Sequence, residues 1–220
     1  MQYDFRALTE LERYKIMTAT IGPRPIAWLT TVSRDGVRNA APYSFFNMMG
    51  ADPPVVAIGI MRHAQQRFKD SASNILDTGE FVVNLVNDRV AQAMNLTCIE
   101  APPEVDELDL AGLATHESVL VKPPRIARSP VSFECRNLSS VITGPSQMVV
   151  LGQVVMAHIH DDYILNAERC HIDTPKLNCI TRLHGSGWYG RNPELFQMER
   201  PTWAQWQAGE VVVPPTDDPV

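Results

Sequence analysis

IAWLTTVSRDGVRNAAPY, residues 26–43, consists of two apolar and β-branched runs, 26–32 and 37–43, separated by Ser33, Arg34, Asp35 and Gly36. Runs of this type suit a pleated surface, and Asp-Gly supplies the backbone freedom of a tight turn, so the stretch predicts an antiparallel hairpin. Downstream, Asp52, Pro53 and Pro54 introduce another strand-like run, 55–61. Residues 70–76 read as a helix that Gly79 ends, and 80–86 read as a strand.

Residues 88–96 are again helical in pattern, and 102–113 form an acidic, proline-containing excursion expected to cover the sheet rather than build it. Strand patterns return at 131–141 and 149–160. The second is almost continuously apolar, as a centrally buried strand is, and predicts a closed sheet. Upstream, Thr9 and Glu12 have capping-box spacing, and Leu8, Leu11, Tyr14 and Met17 recur at helical intervals, so an amphipathic helix should run up to Gly22 and Pro23. Several antiparallel strands without regular strand–helix alternation predict a mainly β chain with inserted helices, a barrel rather than a doubly wound sheet. The expected organisation is one domain over 1–205, followed by an extended or disordered proline-rich tail over 206–220.

The 220 residues are 45% hydrophobic, enough for a substantial core, and carry 19 Lys and Arg against 25 Asp and Glu. The resulting charge of -6, with no basic block, argues against nucleic-acid binding. No run approaches the ~18 apolar residues of a membrane span, and the first residues show no secretory pattern, so neither a membrane nor export is expected. Cys98, Cys135, Cys170 and Cys179 are too few and scattered for a disulfide framework. Together these features predict a cytoplasmic protein.

Two motifs are weighed and set aside. Residues 185–190, GSGWYG, spell the glycine pattern of a dinucleotide-binding turn, but Arg191, Asn192 and Pro193 follow where that turn requires a helix. His158 and His160 share one face of a strand beside Asp161 and Asp162, a remote basis for a metal-dependent hydrolase that lacks ligands at diagnostic spacing. Cys170, His171, Cys179 and His184 likewise lack the paired spacing of a zinc module. The expected metal content is none.

The connected pieces are RPIAW (24–28), LTT (29–31), NAAPYSFFN (39–47), DPP (52–54) and KDS (69–71) with Asn74. They continue through GEFVVN (79–84), SPVSFEC (129–135), GQVV (152–155) and LHGSGWY (183–189). In this order and spacing, over roughly residues 14–200, they resemble the flavin-reductase-like family of FMN-binding split-barrel proteins, which includes flavoredoxins and the reductase components of two-component monooxygenases. The resemblance implies a Greek-key-like antiparallel split β-barrel and a homodimer with FMN near the interface. It implies an NAD(P)H-dependent flavin reductase that passes hydride to flavin N5, then electrons to free flavin, oxygen or a partner oxygenase. A flavoredoxin-type FMN electron carrier without nicotinamide activity is the alternative, and the sequence does not choose between NADH and NADPH.

A phosphate needs a cation, hydroxyls and free backbone N–H groups, which Lys69, Asp70, Ser71 and the helix start after them offer. Thr30 and Thr31 point to opposite faces of a strand, so one could meet the ribityl chain or phosphate while the other faces the core. The resemblance places Trp28, Leu29, Thr30 and Thr31 along the flavin. Ser44, Phe45, Phe46 and Asn47 would supply backbone donors, an amide and an aromatic wall to the ring. Arg24, Asn84, His184, Trp188 and Tyr189 are further candidate neighbours of flavin or substrate. No catalytic side chain is implied, because the flavin carries the chemistry.

Overall fold

The computed structural model describes residues 1–62, 67–185, 187–191 and 195–211. Ser33 N donates to Val37 O at 2.8 Å, and Gly36 adopts φ 87°, which turns the chain between β1 (Ala27–Val32) and β2 (Arg38–Tyr43). A strand not expected from the sequence follows after one residue: β3 (Phe45–Ala51), which reverses at Asp52 and Pro53 into β4 (Pro54–Met61). Then come helix α2 (Asp70–Thr78), β5 (Glu80–Leu85), and the long hairpin of β6 (Val131–Gly144) and β7 (Gln147–Ile159).

These strands form one antiparallel sheet in the order β2-β1-β5-β6-β7-β4-β3. The two edge strands, β2 and β3, are consecutive in the chain and joined through Ser44 alone. Residues two apart cannot be separated by more than about 7 Å, so the sheet must roll until its edges meet at Tyr43 and Phe45. No ladder joins β2 to β3, so the predicted closed sheet is instead a rolled sheet open along one seam.

Rolling gives the sheet two cores. Inside, Leu29, Ile58, Phe81, Val83 and Val150 pack around Ala72 and Ile75 of α2, which plugs the barrel. Outside, Trp28, Ala40, Val90, Met94, Leu108 and Ile126 gather beneath α3 (Ala91–Leu96) and α4 (Glu107–Leu110). Residues 27–31 are therefore buried in succession, because both faces of β1 are covered. β7 lies between β6 and β4 as expected, but beyond Gly152 it is only half-buried.

The N-terminal helix α1 (Glu10–Thr20) has the expected capping box, with Glu12 N donating to Thr9 Oγ1 and Glu12 accepting from Thr9 N. Its apolar residues are only partly covered: Leu11 and Met17 are 60% and 47% exposed, Tyr14 and Ile16 are half-buried, and only Thr18 is buried. Helix α5 (Trp203–Gln207), with its own Thr202–Gln205 capping box, crosses the 205/206 boundary, while residues 212–220 lie outside those described. Among the described residues, no helix is long and apolar enough to cross a membrane.

One buried carboxylate ties the outer loop to the sheet. Glu134 is fully buried on β6 and accepts from Val119 N, Leu120 N and His158 Nε2 at 2.7, 2.6 and 2.6 Å. Burial alone would push its carboxyl upward. The two backbone donors and His158 together outweigh burial and hold it below the ordinary value of 4.5. An acid depressed on folding stabilises the protein above its unfolded value, and that contribution disappears as pH falls through the folded value. Glu134→Gln keeps the shape but loses the charge and turns an NH2 donor toward one of the two backbone N–H groups, so it should cost about 1–3 kcal/mol at neutral pH. Urea titrations from pH 7 to pH 3 should show the gap between variant and wild type closing below about pH 5. A gap independent of pH would contradict this assignment.

Candidate functional site

The N-terminus of α2 opens into a cavity of about 180 Å³ at the unpaired edge of β2. Lys69, Asp70 and Ser71 form one wall, Asn39, Ala41, Pro42 and Tyr43 a second, and residues 97–101 with Glu107 a third. α2 belongs here because its Ala72 and Ile75 fill the barrel interior, and Gly79, at φ 74°, ends it before β5.

Lys69 is the N-cap residue of α2, extended at φ -65° and ψ 153°, and no side chain caps the helix. Lys69 is half-buried and its ammonium makes no hydrogen bond or ion pair among the described residues. A half-buried cation with no partner among the described residues, beside uncapped helix N–H groups, is poised for an anion. Lys69 and Arg182 both act electrostatically on Cys98, which places two cations around that wall. Burial raises the Cys98 thiol above its ordinary value, and the two cations only partly oppose this.

Behind the wall runs a chain of polar side chains. Glu107 Oε2 accepts from Asn39 Nδ2 at 2.9 Å and from Ala40 N at 3.0 Å. Asn39 Oδ1 accepts from Ser71 Oγ at 2.7 Å and Thr31 Oγ1 at 3.3 Å, and Thr31 Oγ1 accepts from Asn74 Nδ2 at 3.0 Å. Burial raises the Glu107 carboxyl, although the bonds from Ala40 and Asn39 counter it. Arg38, bonded to Asp106 at 2.6 Å and Asp109 at 2.7 Å, anchors α4 and so holds Glu107 against β2. The Tyr43 hydroxyl is buried beside Ser71 without a hydrogen bond of ordinary length, and burial pushes its ionisation far upward.

The residues expected to bind the cofactor divide into three groups. Lys69, Asp70 and Ser71 line the cavity. Trp28, Leu29, Thr30 and Thr31 are fully buried and do not line it. Trp28 Nε1 donates to Thr97 Oγ1 at 2.9 Å, and Leu29 packs inside the barrel. Thr30 donates to the Pro124 carbonyl on the outer face, whereas Thr31 joins the chain behind the cavity. Ser44 occupies the corner between the sheet edges. Phe45 meets Tyr14 at 6.3 Å between ring centroids, Phe46 packs against the inner core, and Asn47 is exposed.

Arg24 and Asn84 are committed to the fold. Arg24 donates to the carbonyls of Thr18, Ile21 and His184. Asn84 donates to Trp28 O at 3.0 Å and Thr30 Oγ1 at 3.3 Å, and accepts from Ile126 N at 3.0 Å and Ser132 Oγ at 2.8 Å. His184 is exposed at φ 49°, Trp188 is 68% exposed, and Tyr189 is half-buried with its hydroxyl accepting from Arg182 at 2.7 Å.

Tyr189–Gly190 pair with Thr181–Arg182 as strands, so the second half of the glycine motif forms a small ladder. The remote metal reading finds His158 Nε2 held by Glu134 and the exposed His160 ring edge-on to Tyr163. Among the described residues, no His, Cys, Asp and Glu side chains gather as a metal site. Sequence reasoning missed Asn39, Tyr43, Glu107 and the 97–101 wall. The first two lay in a quoted motif, and no local signal marked the others.

The flavin reductase like domain matches residues 20–172. An uncharacterized protein of Deinococcus radiodurans is 39% identical over 209 residues, covering 93% of this chain and 92% of its own. Among solved structures, nitrilotriacetate monooxygenase component B from Bacillus cereus is 32% identical with a TM-score of 0.85, covering 90% of this chain and 98% of its own. The 2-nitrobenzoate 2-nitroreductase NbaA of Pseudomonas fluorescens is 30% identical with a TM-score of 0.83, covering 92% and 98%.

Proposed function

Because the chain belongs to the flavin reductase like family and has its split-barrel fold, we propose that it binds FMN at the start of α2 and acts as an NAD(P)H-dependent flavin reductase. The observation that carries this reading is Lys69, a half-buried residue whose ammonium has no partner among the described residues, at an uncapped helix start lining a cavity. That set suits the phosphate monoester of FMN: the lysine supplies charge, and the first N–H groups of α2 supply directed donors. Asp70, in the first turn and lining the same cavity, opposes an anion, so Lys69 and the helix N–H groups must outweigh it.

Bound FMN would supply a two-electron acceptor for hydride from nicotinamide, a transfer that needs no general base from the protein. The chain's own task is to hold and orient the nucleotide and leave one ring face open. The cavity of about 180 Å³ is smaller than the roughly 300 Å³ or more of pockets that enclose whole ligands, so the ring must extend beyond it. A homodimer supplies the missing wall. Met48 and Met49 on edge strand β3, and Leu11, Met17 and Ile21 at α1, are exposed apolar residues suited to a second copy. The likeness to component B of a monooxygenase favours a partner oxygenase as the destination of the electrons.

Steady-state oxidation of NADH and NADPH by purified protein supplied with FMN tests the activity. Flavin-dependent turnover with at least one of them is expected. Tight FMN binding without nicotinamide oxidation would overturn the reductase reading in favour of an electron carrier reduced by another protein.

A further inference from the structure

Resting on the flavin reading above, we infer that Tyr43 and Ser71 form a receptor for one alcohol hydroxyl of the ligand, so that Ser71 meets the ribityl chain and not the phosphate. The direction of every hydrogen bond behind Ser71 is fixed by Glu107. Its Oε2 already accepts the Ala40 N–H, and would do so even with a proton on the other carboxyl oxygen. The atom of Asn39 that faces it at 2.9 Å is therefore the amide nitrogen. Asn39 Oδ1 consequently faces Ser71 and Thr31, and both hydroxyls must donate to it.

A hydroxyl has one proton, and Ser71 has spent its proton on Asn39 at 2.7 Å. What Ser71 has left is lone pairs. A phosphate oxygen at neutral pH is also an acceptor, so the two would repel, and the phosphate is left to Lys69 and the helix N–H groups. Tyr43 provides the complementary half. It is 8% exposed, it lines the cavity beside Ser71, and its hydroxyl is buried without an ordinary hydrogen bond. A buried unsatisfied hydroxyl is costly, and a ligand group that satisfies it recovers that cost. An alcohol is the group that answers both residues, donating to Ser71 and accepting from Tyr43. The ribityl chain carries such groups beside the phosphate.

Fluorescence titrations of the full chain with FMN, riboflavin and lumiflavin separate the contacts, because riboflavin lacks the phosphate and lumiflavin lacks the whole ribityl chain. Tyr43→Phe should raise the Kd of FMN and riboflavin by the same factor, about threefold to tenfold, and leave lumiflavin unchanged. Ser71→Ala should show the same pattern and carries the test if Tyr43→Phe does not fold. A loss confined to FMN would place Ser71 and Tyr43 on the phosphate and overturn the inference. An equal loss for all three ligands, or no loss, would also overturn it. Failure of the wild-type protein to bind any of the three would instead remove the flavin reading on which the receptor depends.

Discussion

Lys69→Ala should raise the Kd for FMN by about tenfold to a hundredfold while changing riboflavin affinity by less than about twofold. The size follows from the contact: a charge-assisted hydrogen bond contributes about 1.5–3 kcal/mol, and about 1.4 kcal/mol is a factor of ten. The loss is not total, because the uncapped N–H groups of α2 remain. Selectivity between the ligands matters more than size. A lysine that merely supported the fold would affect both equally. Isothermal titration calorimetry with each ligand, at fixed salt, makes the comparison, and matched losses would remove Lys69 from the phosphate site. The effect should also shrink at high salt, since this cation is half-buried and partly screened.

Gly152→Ala should lower stability by about 2–3 kcal/mol, a shift of about 5–10 °C in Tm for a chain of this size. Gly152 is buried on β7, where a Cβ would overlap Phe81 Cζ and approach Cε1 to 3.0 Å. Phe81 cannot yield easily, because it is fully buried in the inner core with Leu29, Ile58 and Ile75. The same position also falls at an irregularity in the β6–β7 pairing, where Gly152 faces Asn137. Gly79 would also be strained by a side chain through its positive φ, but it meets nothing within 4 Å. Thermal melts of the variant should show the loss without ligand, and an unchanged Tm would mean that the ring has room to move.

Residues 26–43 made the first hairpin legible because both its runs and its Asp-Gly turn follow local rules. β3 was hidden for an equally local reason. Only Ser44 separates it from β2, no glycine stands there and Pro42 lies within β2 itself, and the outward position of β3 leaves Asn47, Met48 and Met49 without a two-residue pattern of burial. Its position at the far edge of the sheet is a property of the rolled topology, which no local segment records.

The site was legible where chemistry is concentrated in sequence. Lys69, Asp70 and Ser71 are adjacent, and the helix they begin was visible. The expectation that residues 28–31 would line a ligand came from the resemblance, whereas in the structure the strand is buried in succession because both its faces are covered. Glu107 lies in the acidic excursion expected to cover the sheet, but nothing in that stretch marks which carboxylate α4 folds over the edge of β2, here to 4% exposure. Tyr43 reads as a strand-end aromatic, and only its neighbours reveal a hydroxyl without a partner. Both are fixed by contacts between segments distant in the chain, which periodicity does not encode.

The most direct test is the visible absorption spectrum of purified protein incubated with FMN and then passed through a desalting column. A flavin band travelling with the protein, at close to one FMN per chain, is the predicted result. Protein that emerges colourless, with its β-rich circular dichroism intact, would contradict the account.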